Sequence, residues 1–409
     1  MIKLPKDRYF TGLDIGTTKV ACVIANRTEE GKPNVIGVGV VPSDGINRGV
    51  IQNIEKATLC VQEAIERAEK MAGVKVEGVF AGISGEHINI VPSAGMVALP
   101  KANRDITRED VERVMKQAET MRLPADEEIL HVIPRKFIVD GKVEVEDPVG
   151  MIGTKLEVKA NIITGATAAI QNVRKVVERA GYKLYDIVLQ PLASAASVLQ
   201  EDELIHGVVL VDIGGGTTDV AIFTEGSIAY ASIIPWGGDS ITNDIALGLK
   251  TSRKDAEKLK IEYGVAARNF IKDDSVKIRV PGIGGRKDKE IPIETLIMII
   301  EARVDEILGF VNEKIENSGL RDFIGAGAVI TGGTANLPGI ADLAEARLDL
   351  HTKVGVPREV AGLKDAVDNP ALATAVGLVL HAMEEREVKR EIKGASILER
   401  IKKWFEEIF

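Results

Sequence analysis

The chain has 409 residues, 45% hydrophobic and 28% charged, with a formal net charge of −9. These values fit a soluble chain of two to four packed domains and exclude a disulfide scaffold, a disordered tail protein and a chain built to coat nucleic acid. Two cysteines, Cys22 and Cys60, are too few for a disulfide framework or a zinc ribbon and fit a reducing cytosol, and no apolar run nears the roughly 18 to 20 residues that cross a bilayer.

In chain order, LDIGTTKVACVI (13–24) predicts a strand, a tight Gly-Thr turn and a second strand. A segment of about 86–163 then reads as an insertion, with a helix from Glu109 to Met121 and strands such as His131 to Val139. IITGATAAIQNVRKVVERA (162–180) predicts a buried strand followed by a helix, since Val173, Val176, Val177 and Ala180 recur at helical spacing. QPLASAASVL (190–199) predicts a small-residue helix.

The same three pieces then return in the same order: VDIGGGTTDVAIF (211–223), VITGGTANLPGIADLAEAR (329–347) and NPALATAVGLVL (369–380). A second insertion, about 246–324, holds a helix from Ser252 through Tyr263, a basic hairpin-like stretch (VKIRVPGIGGRKDKEIPI) and a long helix near Ile293 to Glu316. Three pieces in register argue for duplication of one α/β unit, hence two halves facing across a cleft. The expected division is 1–85 and 164–204, with the helix at 369–382 returning, as subdomain 1A; 86–163 as 1C; 205–245 and 325–368 as 2A; and 246–324 as 2B.

The last repeat helix is expected to end near Ala382, with 383–395 as a charged linker or a frayed solvated helix. Ser396 with Glu399 forms a capping box, so 396–409 predicts a new helix about 21 Å long. Ile397, Leu398, Ile401, Trp404, Phe405, Ile408 and Phe409 fill an arc of roughly 140° that excludes every charge. Such a helix either docks on its own core or lies in a membrane interface. The linker and the terminal aromatics favour the membrane, and because the three acidic and three basic residues cancel, insertion rests on apolar area.

A polyphosphate needs many donors at close range, and a Gly-Thr turn supplies backbone amides and hydroxyls without bulk. One such turn alone could be a simple hairpin; two at equivalent places of a repeat point to a shared ligand. Asp14 and Asp212 end the first strand of each turn, and two carboxylates opposed across a cleft suit a hydrated Mg²⁺ held through water. Neither a Walker A motif nor a GxGxxG fingerprint occurs.

These motifs resemble the actin, Hsp70 and sugar-kinase superfamily, with Asp14–Lys19 and Asp212–Asp219 similar to its two phosphate loops and 331–339 to its adenosine motif. HVIPRKFIVDG, DPVGMIGTKLEV, IPWGGDSITNDIA and DAEKLKIEYG resemble the FtsA family of bacterial cell-division proteins. The resemblance implies a duplicated actin-like (RNase H-like) α/β fold that binds ATP and Mg²⁺, with at most weak ATPase activity. It implies Gly16, Thr17, Thr18 and Lys19 on one side of the phosphates and Gly214, Gly215, Gly216 and Thr217 on the other. Gly332, Gly333 and Thr334 would lie at the adenosine, with Gly238 nearby, and Glu257 and Lys260 would reach the ribose or base. Gln190 is either a water-positioning residue or simply the start of the helix before Pro191.

The same resemblance implies self-assembly into an actin-like filament, attachment to inner-membrane lipids by the terminal helix, and contacts of 86–163 with later division proteins. The C-terminal peptide of FtsZ would bind the second insertion, with Arg303 as its basic contact unless that side chain is only a solvated helix-face arginine. A soluble sugar-kinase-like enzyme and a PilM-like pilus adaptor are the competing readings; the first leaves the terminal helix idle and the second lacks it.

Overall fold

A computed structural model describes residues 9–99, 104–271, 273 and 275–391, and for 385–391 the backbone alone. The amphipathic segment 396–409 lies outside the described residues.

β1 (Phe10–Ile15) and β2 (Lys19–Arg27) pair antiparallel with Ile15 opposite Val20, which leaves 16–18 as the turn. Both strands are almost wholly buried, which suits a sheet covered on both faces. β3 (Pro33–Pro42) extends the sheet, and α1 (Ile54–Ala72) covers it, its Ala57, Val61, Ala64, Ile65 and Ala68 stripe fully buried. β4 (Gly78–Ile83) runs parallel beside β1.

The insertion follows: β5 (Ile88–Ala98), α2 (Arg108–Ala118), β6 (Glu127–Val139), β7 (Val143–Val145) and β8 (Lys155–Ala166). Its strands form an antiparallel sheet of order β7-β6-β8-β5, and α2 packs Val111, Val114, Met115 and Ala118 against it. Asn161 on β8 donates a buried 2.7 Å hydrogen bond to the Ile228 carbonyl, so this sheet also touches the second half of the chain. α3 (Thr167–Arg179), β9 (Lys183–Leu189) and α4 (Gln190–Val198) then close the first half, giving the strand order β9-β4-β1-β2-β3 with Ala361–Gly362 at the far edge.

The second half repeats the plan. β10 (Val208–Ile213) and β11 (Thr218–Thr224) pair antiparallel around the second Gly-Thr turn, followed by β12 (Ser227–Ile234). Then come α5 (Gly238–Leu249), α6 (Arg253–Tyr263), the hairpin of β13 (Lys277–Val280) and β14 (Lys289–Pro292), and α7 (Ile293–Ser318). β15 (Gly327–Thr331), α8 (Ile340–Leu348), β16 (Thr352–Val354) and α9 (Ala373–Glu391) finish the described chain. The sheet order is β12-β11-β10-β15-β16.

The two small-residue repeat helices exchange places. α4, from the first repeat, buries Leu192, Ala195 and Val198 with Val208, Leu210, Ala221 and Val329 of the second sheet. α9, from the second repeat, buries Val376, Val379 and Ala382 with Phe10, Ala21, Val23 and Phe80 of the first. The helices touch where they cross. A Cβ added at Gly377 would stand 1.7 Å from the Ala193 carbonyl oxygen, and one at Gly12 of β1 would stand 2.3 Å from the Ala375 oxygen.

α9 does not end near Ala382 as expected; it continues through Glu391, with Met383 and Glu384 still buried. The stretch after Ala382 is rich in Glu, Arg and Lys, all good helix formers, and meets no Gly or Pro before Gly394, so the helix has no local reason to stop. Because the crossing leaves no room for a side chain, Gly377→Ala should cost about 3 kcal/mol of stability, read from urea denaturation midpoints. A cost near zero would mean that the helices separate freely.

Candidate functional site

The two Gly-Thr turns meet, Thr18 and Thr17 of the first against Gly215 and Gly216 of the second. Each is tied by its own backbone, Gly16 N to the Lys19 oxygen at 3.0 Å and Gly214 N to the Thr217 oxygen at 2.9 Å. A Cβ at Gly215 would lie 2.3 Å from Thr18 Cγ2, and one at Gly216 would lie 2.6 Å from Thr17 Oγ1, so only glycine lets the turns approach this closely. Among the described residues, no hydrogen-bond acceptor is found for the amides of Thr17, Thr18, Gly215 or Gly216. Free amides clustered on glycine-rich turns are the chemistry of an anion cradle.

Asp14 is buried and receives two hydrogen bonds at 3.0 Å, from Lys19 Nζ and from Gln190 Nε2. The Lys19 ammonium keeps two donors for another oxyanion. Asp212 Oδ2 accepts from Ser194 Oγ at 2.7 Å and from Thr374 Oγ1 at 3.4 Å, and these two hydroxyls lie 2.9 Å apart. They hold equivalent places on the crossed helices α4 and α9. Burial, and then the charge of Asp14, raises the Asp212 carboxyl above its usual range. A hydrated cation between the two carboxylates would relieve that cost. Among the described residues no group of three or more His, Cys, Asp or Glu is arranged to hold a metal.

The far end of the cleft is built from the second half. Gly332 has φ +87°, and a Cβ there would stand 2.3 Å from Asp212 Oδ1. Gly333 begins the short helix after it, and Thr334 Oγ1 donates to the Gly214 carbonyl at 3.2 Å. The Gly238 amide donates to the same carbonyl at 2.9 Å. Lys260 Nζ lies 2.8 Å from Glu257 Oε2 and donates to the Gly238 carbonyl at 3.0 Å and to Thr242 Oγ1 at 2.8 Å. Glu257 and Lys260 thus hold each other one turn apart on α6, at the edge of the second turn.

Arg303 stands apart from these residues and is not a free cation. Its Nε donates to Asp244 Oδ2 at 2.6 Å, its Nη1 donates to Glu306, and its guanidinium lies over the Trp236 ring at 5.2 Å. The i, i+3 spacing on α7 brings Glu306 alongside, and the packing of α5 against α7 brings Asp244.

The overall match is to a cell-division family. The model of the SHS2 domain inserted in FtsA matches residues 85–164, and the model of cell division protein FtsA matches residues 209–377. The chain is 40% identical to cell division protein FtsA of Pseudomonas aeruginosa over 99% of both chains, and 36% identical to that of Escherichia coli over 100% of both.

The chain belongs to the FtsA family.

Cell division protein FtsA of Bacillus subtilis is 38% identical, over 94% of this chain and 85% of its own. Among solved structures, the fold is similar to a PilM–PilN type IV pilus biogenesis complex (TM-score 0.66, 16% identity, covering 93% of this chain and 99% of that one). It is also similar to MreB5 of Spiroplasma citri bound to ADP (TM-score 0.56, 17% identity, 96% and 100%). Both likenesses are of fold alone, and they establish the duplicated actin-like architecture of this FtsA-family chain.

Sequence reasoning left Asp219 without a role, although it closes the DIGGGTTD motif opposite Asp212 in the strand register. Its buried carboxyl is pushed up to about 7 by desolvation, then by the charge of Asp212, while a hydrogen bond from Ser84 opposes the rise. Ser84 follows β4 of the first half, so this bond crosses between the halves. A second acid at the end of a phosphate-type turn was the available signal; nothing in the sequence named Ser84 as its partner. Ser194 and Thr374 were visible only as small residues of the repeat.

The folded-state value of Asp219 lies above its ordinary 3.8, so its protonated form is favoured by folding. The contribution is full below about pH 4 and lost as pH rises through about 7. Asp219→Asn should therefore flatten the decline in stability across that window relative to the unaltered chain, as measured by urea midpoints at several pH values. Parallel pH profiles for the two proteins would contradict the assignment.

Proposed function

We propose that this chain is an ATP-binding, actin-like filament protein that works in cell division by tethering the FtsZ ring to the inner face of the membrane. The observation that carries the nucleotide reading is the convergence of the two Gly-Thr turns, their free amides and the paired Asp14 and Asp212 at one cleft. Gly16 to Lys19 and Gly214 to Thr217 would bind the phosphates, and Asp14 and Asp212 would hold Mg²⁺ through water. Gly332 to Thr334, Gly238, Glu257 and Lys260 would line the nucleoside end. MreB5, of similar fold, was solved with ADP and with AMPPNP, which favours the same cleft here. Gln190, hydrogen-bonded to Asp14, would position water for at most a weak ATPase.

Membrane attachment would rest on the apolar arc of 396–409; no helix among the described residues is long and apolar enough to cross a membrane. A single interfacial helix without net charge is a reversible anchor, and a filament that carries many copies becomes a firm one through avidity. Nucleotide-dependent assembly would then set membrane residence. The FtsZ peptide would dock on α7 and its surroundings. There Arg303 already satisfies Asp244 and Glu306, so a peptide carboxylate would share or displace Glu306 rather than meet an empty cation.

Asp212→Ala should abolish ATP binding, by equilibrium dialysis, or filament assembly, by electron microscopy on a lipid monolayer; normal behaviour in both removes the nucleotide reading. Truncation after Lys393 should abolish flotation with liposomes while leaving ATP binding in place. If the truncated chain floats as well as the full one, the anchor lies elsewhere.

A further inference from the structure

Trp236 lies under two arginines from different parts of the molecule. The Arg303 guanidinium of α7 is 5.2 Å from its ring centroid, and the Arg48 guanidinium is 5.7 Å from it. Both separations fall inside the range where a cation is attracted to an indole face. Arg48 belongs to the first half, on the turn between the short strands Ile46–Asn47 and Val50–Ile51. It holds a positive φ of 48°, an uncommon conformation for a residue other than glycine.

Two arms of this stack are tied to the cleft turns. Beside Arg48, the Gly49 amide donates to Thr17 Oγ1 of the first turn at 3.1 Å. On the other side, the Trp236 carbonyl accepts from Thr218 Oγ1 at 2.8 Å, directly after the second turn. The next residues are locked to that turn as well. A Cβ at Gly237 would stand 2.6 Å from the Gly214 oxygen, and the Asp239 amide donates to the Gly215 carbonyl at 2.8 Å. The third arm is Arg303, on the long helix of the second insertion.

We propose that the Arg48–Trp236–Arg303 stack is a strap across the cleft that passes the state of the phosphate turns to α7. The inference rests on the nucleotide reading above and adds the path by which the cleft reports outward. Thr18 of the first turn and Gly215 of the second are packed too close for an added Cβ. A polyphosphate lying between them parts them, and because Gly49 follows Thr17 while residues 236–239 follow 214–218, Arg48 moves relative to Trp236. Arg303, bound to the same ring and to Asp244 of α5, carries the change into α7. The stack is a positioning device; it touches neither turn's free amides.

The chain has two tryptophans, so in a Trp404→Phe background Trp236 is the sole tryptophan and is excited selectively at the red edge of the absorption band. Adding ATP and Mg²⁺ to that full-length chain should shift its fluorescence and change hydrogen exchange along α7. Arg48→Ala should erase most of the fluorescence shift and the α7 response, while ATP affinity by equilibrium dialysis changes only about two- to fivefold. Arg48→Lys, which keeps a cation over the ring, should restore part of both signals; a purely structural role for Arg48 would not yield that rescue. ATP binding with an unchanged α7 response in Arg48→Ala overturns the strap alone. Failure of the unaltered chain to bind ATP overturns the strap together with the nucleotide reading.

Discussion

The exchange of α4 and α9 between the repeats is the constraint on which the rest of the molecule depends. Each half lends a small-residue helix to the other's sheet, so neither core is complete without the partner half. The crossing point is close-packed to the backbone at Gly377 and Ala193, leaving little slack for the halves to slide. Motion is therefore expected as rotation about this crossing, with the Gly-Thr turns swinging in and out at the cleft. The hydroxyls that hold Asp212, Ser194 and Thr374, stand on the two crossing helices, which ties the cleft carboxylate to the pivot itself.

The inserted sheet adds a second tie. Ile133 and Ile163, from β6 and β8, share a buried cluster with Phe223 and Ile228 of the second half, and Asn161 bonds the Ile228 carbonyl. Lys136 pairs with Glu225 at 3.1 Å beside them; this pair is exposed enough to contribute little. The apolar cluster and the buried bond carry the contact. The insertion thus sits against β12, the edge strand of the second sheet, and covers an edge that would otherwise present unpaired backbone.

Much of the site was legible in the sequence because its chemistry is local. A Gly-Thr turn between two strands needs only a dozen consecutive residues, and the repeat told that two such turns belong together. Gly332 and the Glu257–Lys260 pair entered through the resemblance to the FtsA family and not through any local chemistry of their own. What could not be read were contacts between residues ordinary in their own surroundings. Ser84 follows a buried strand, Arg48 sits in a polar loop, and Trp236 looks like any residue before two glycines. Their meaning comes from pairing over a sequence separation of 135 residues for Ser84 and Asp219, and further still for Arg48 and Trp236. The end of α9 was only partly legible for the opposite reason: a dense run of charges left a linker and a frayed solvated helix both open, although those residue types favour helix when nothing breaks it.

The electrostatics of the cleft run against its proposed cargo, and that tension is informative. Asp14, Asp212 and Asp219 gather in and beside a cradle whose free amides suit an anion, and burial, then mutual repulsion, raises the latter two. A polyphosphate alone would add negative charge to this group, and among the described residues Lys19 is the ammonium paired with it. Binding a nucleotide at this cleft is therefore expected to require a divalent cation as a co-ligand rather than merely to benefit from one. The cation would neutralise Asp14 and Asp212 and the phosphates together, and it would lower the carboxyl of Asp212 toward its ordinary range. Affinity for the nucleotide without the metal should then fall as pH rises through the value of Asp219, since each proton lost there adds repulsion at the end of the second turn.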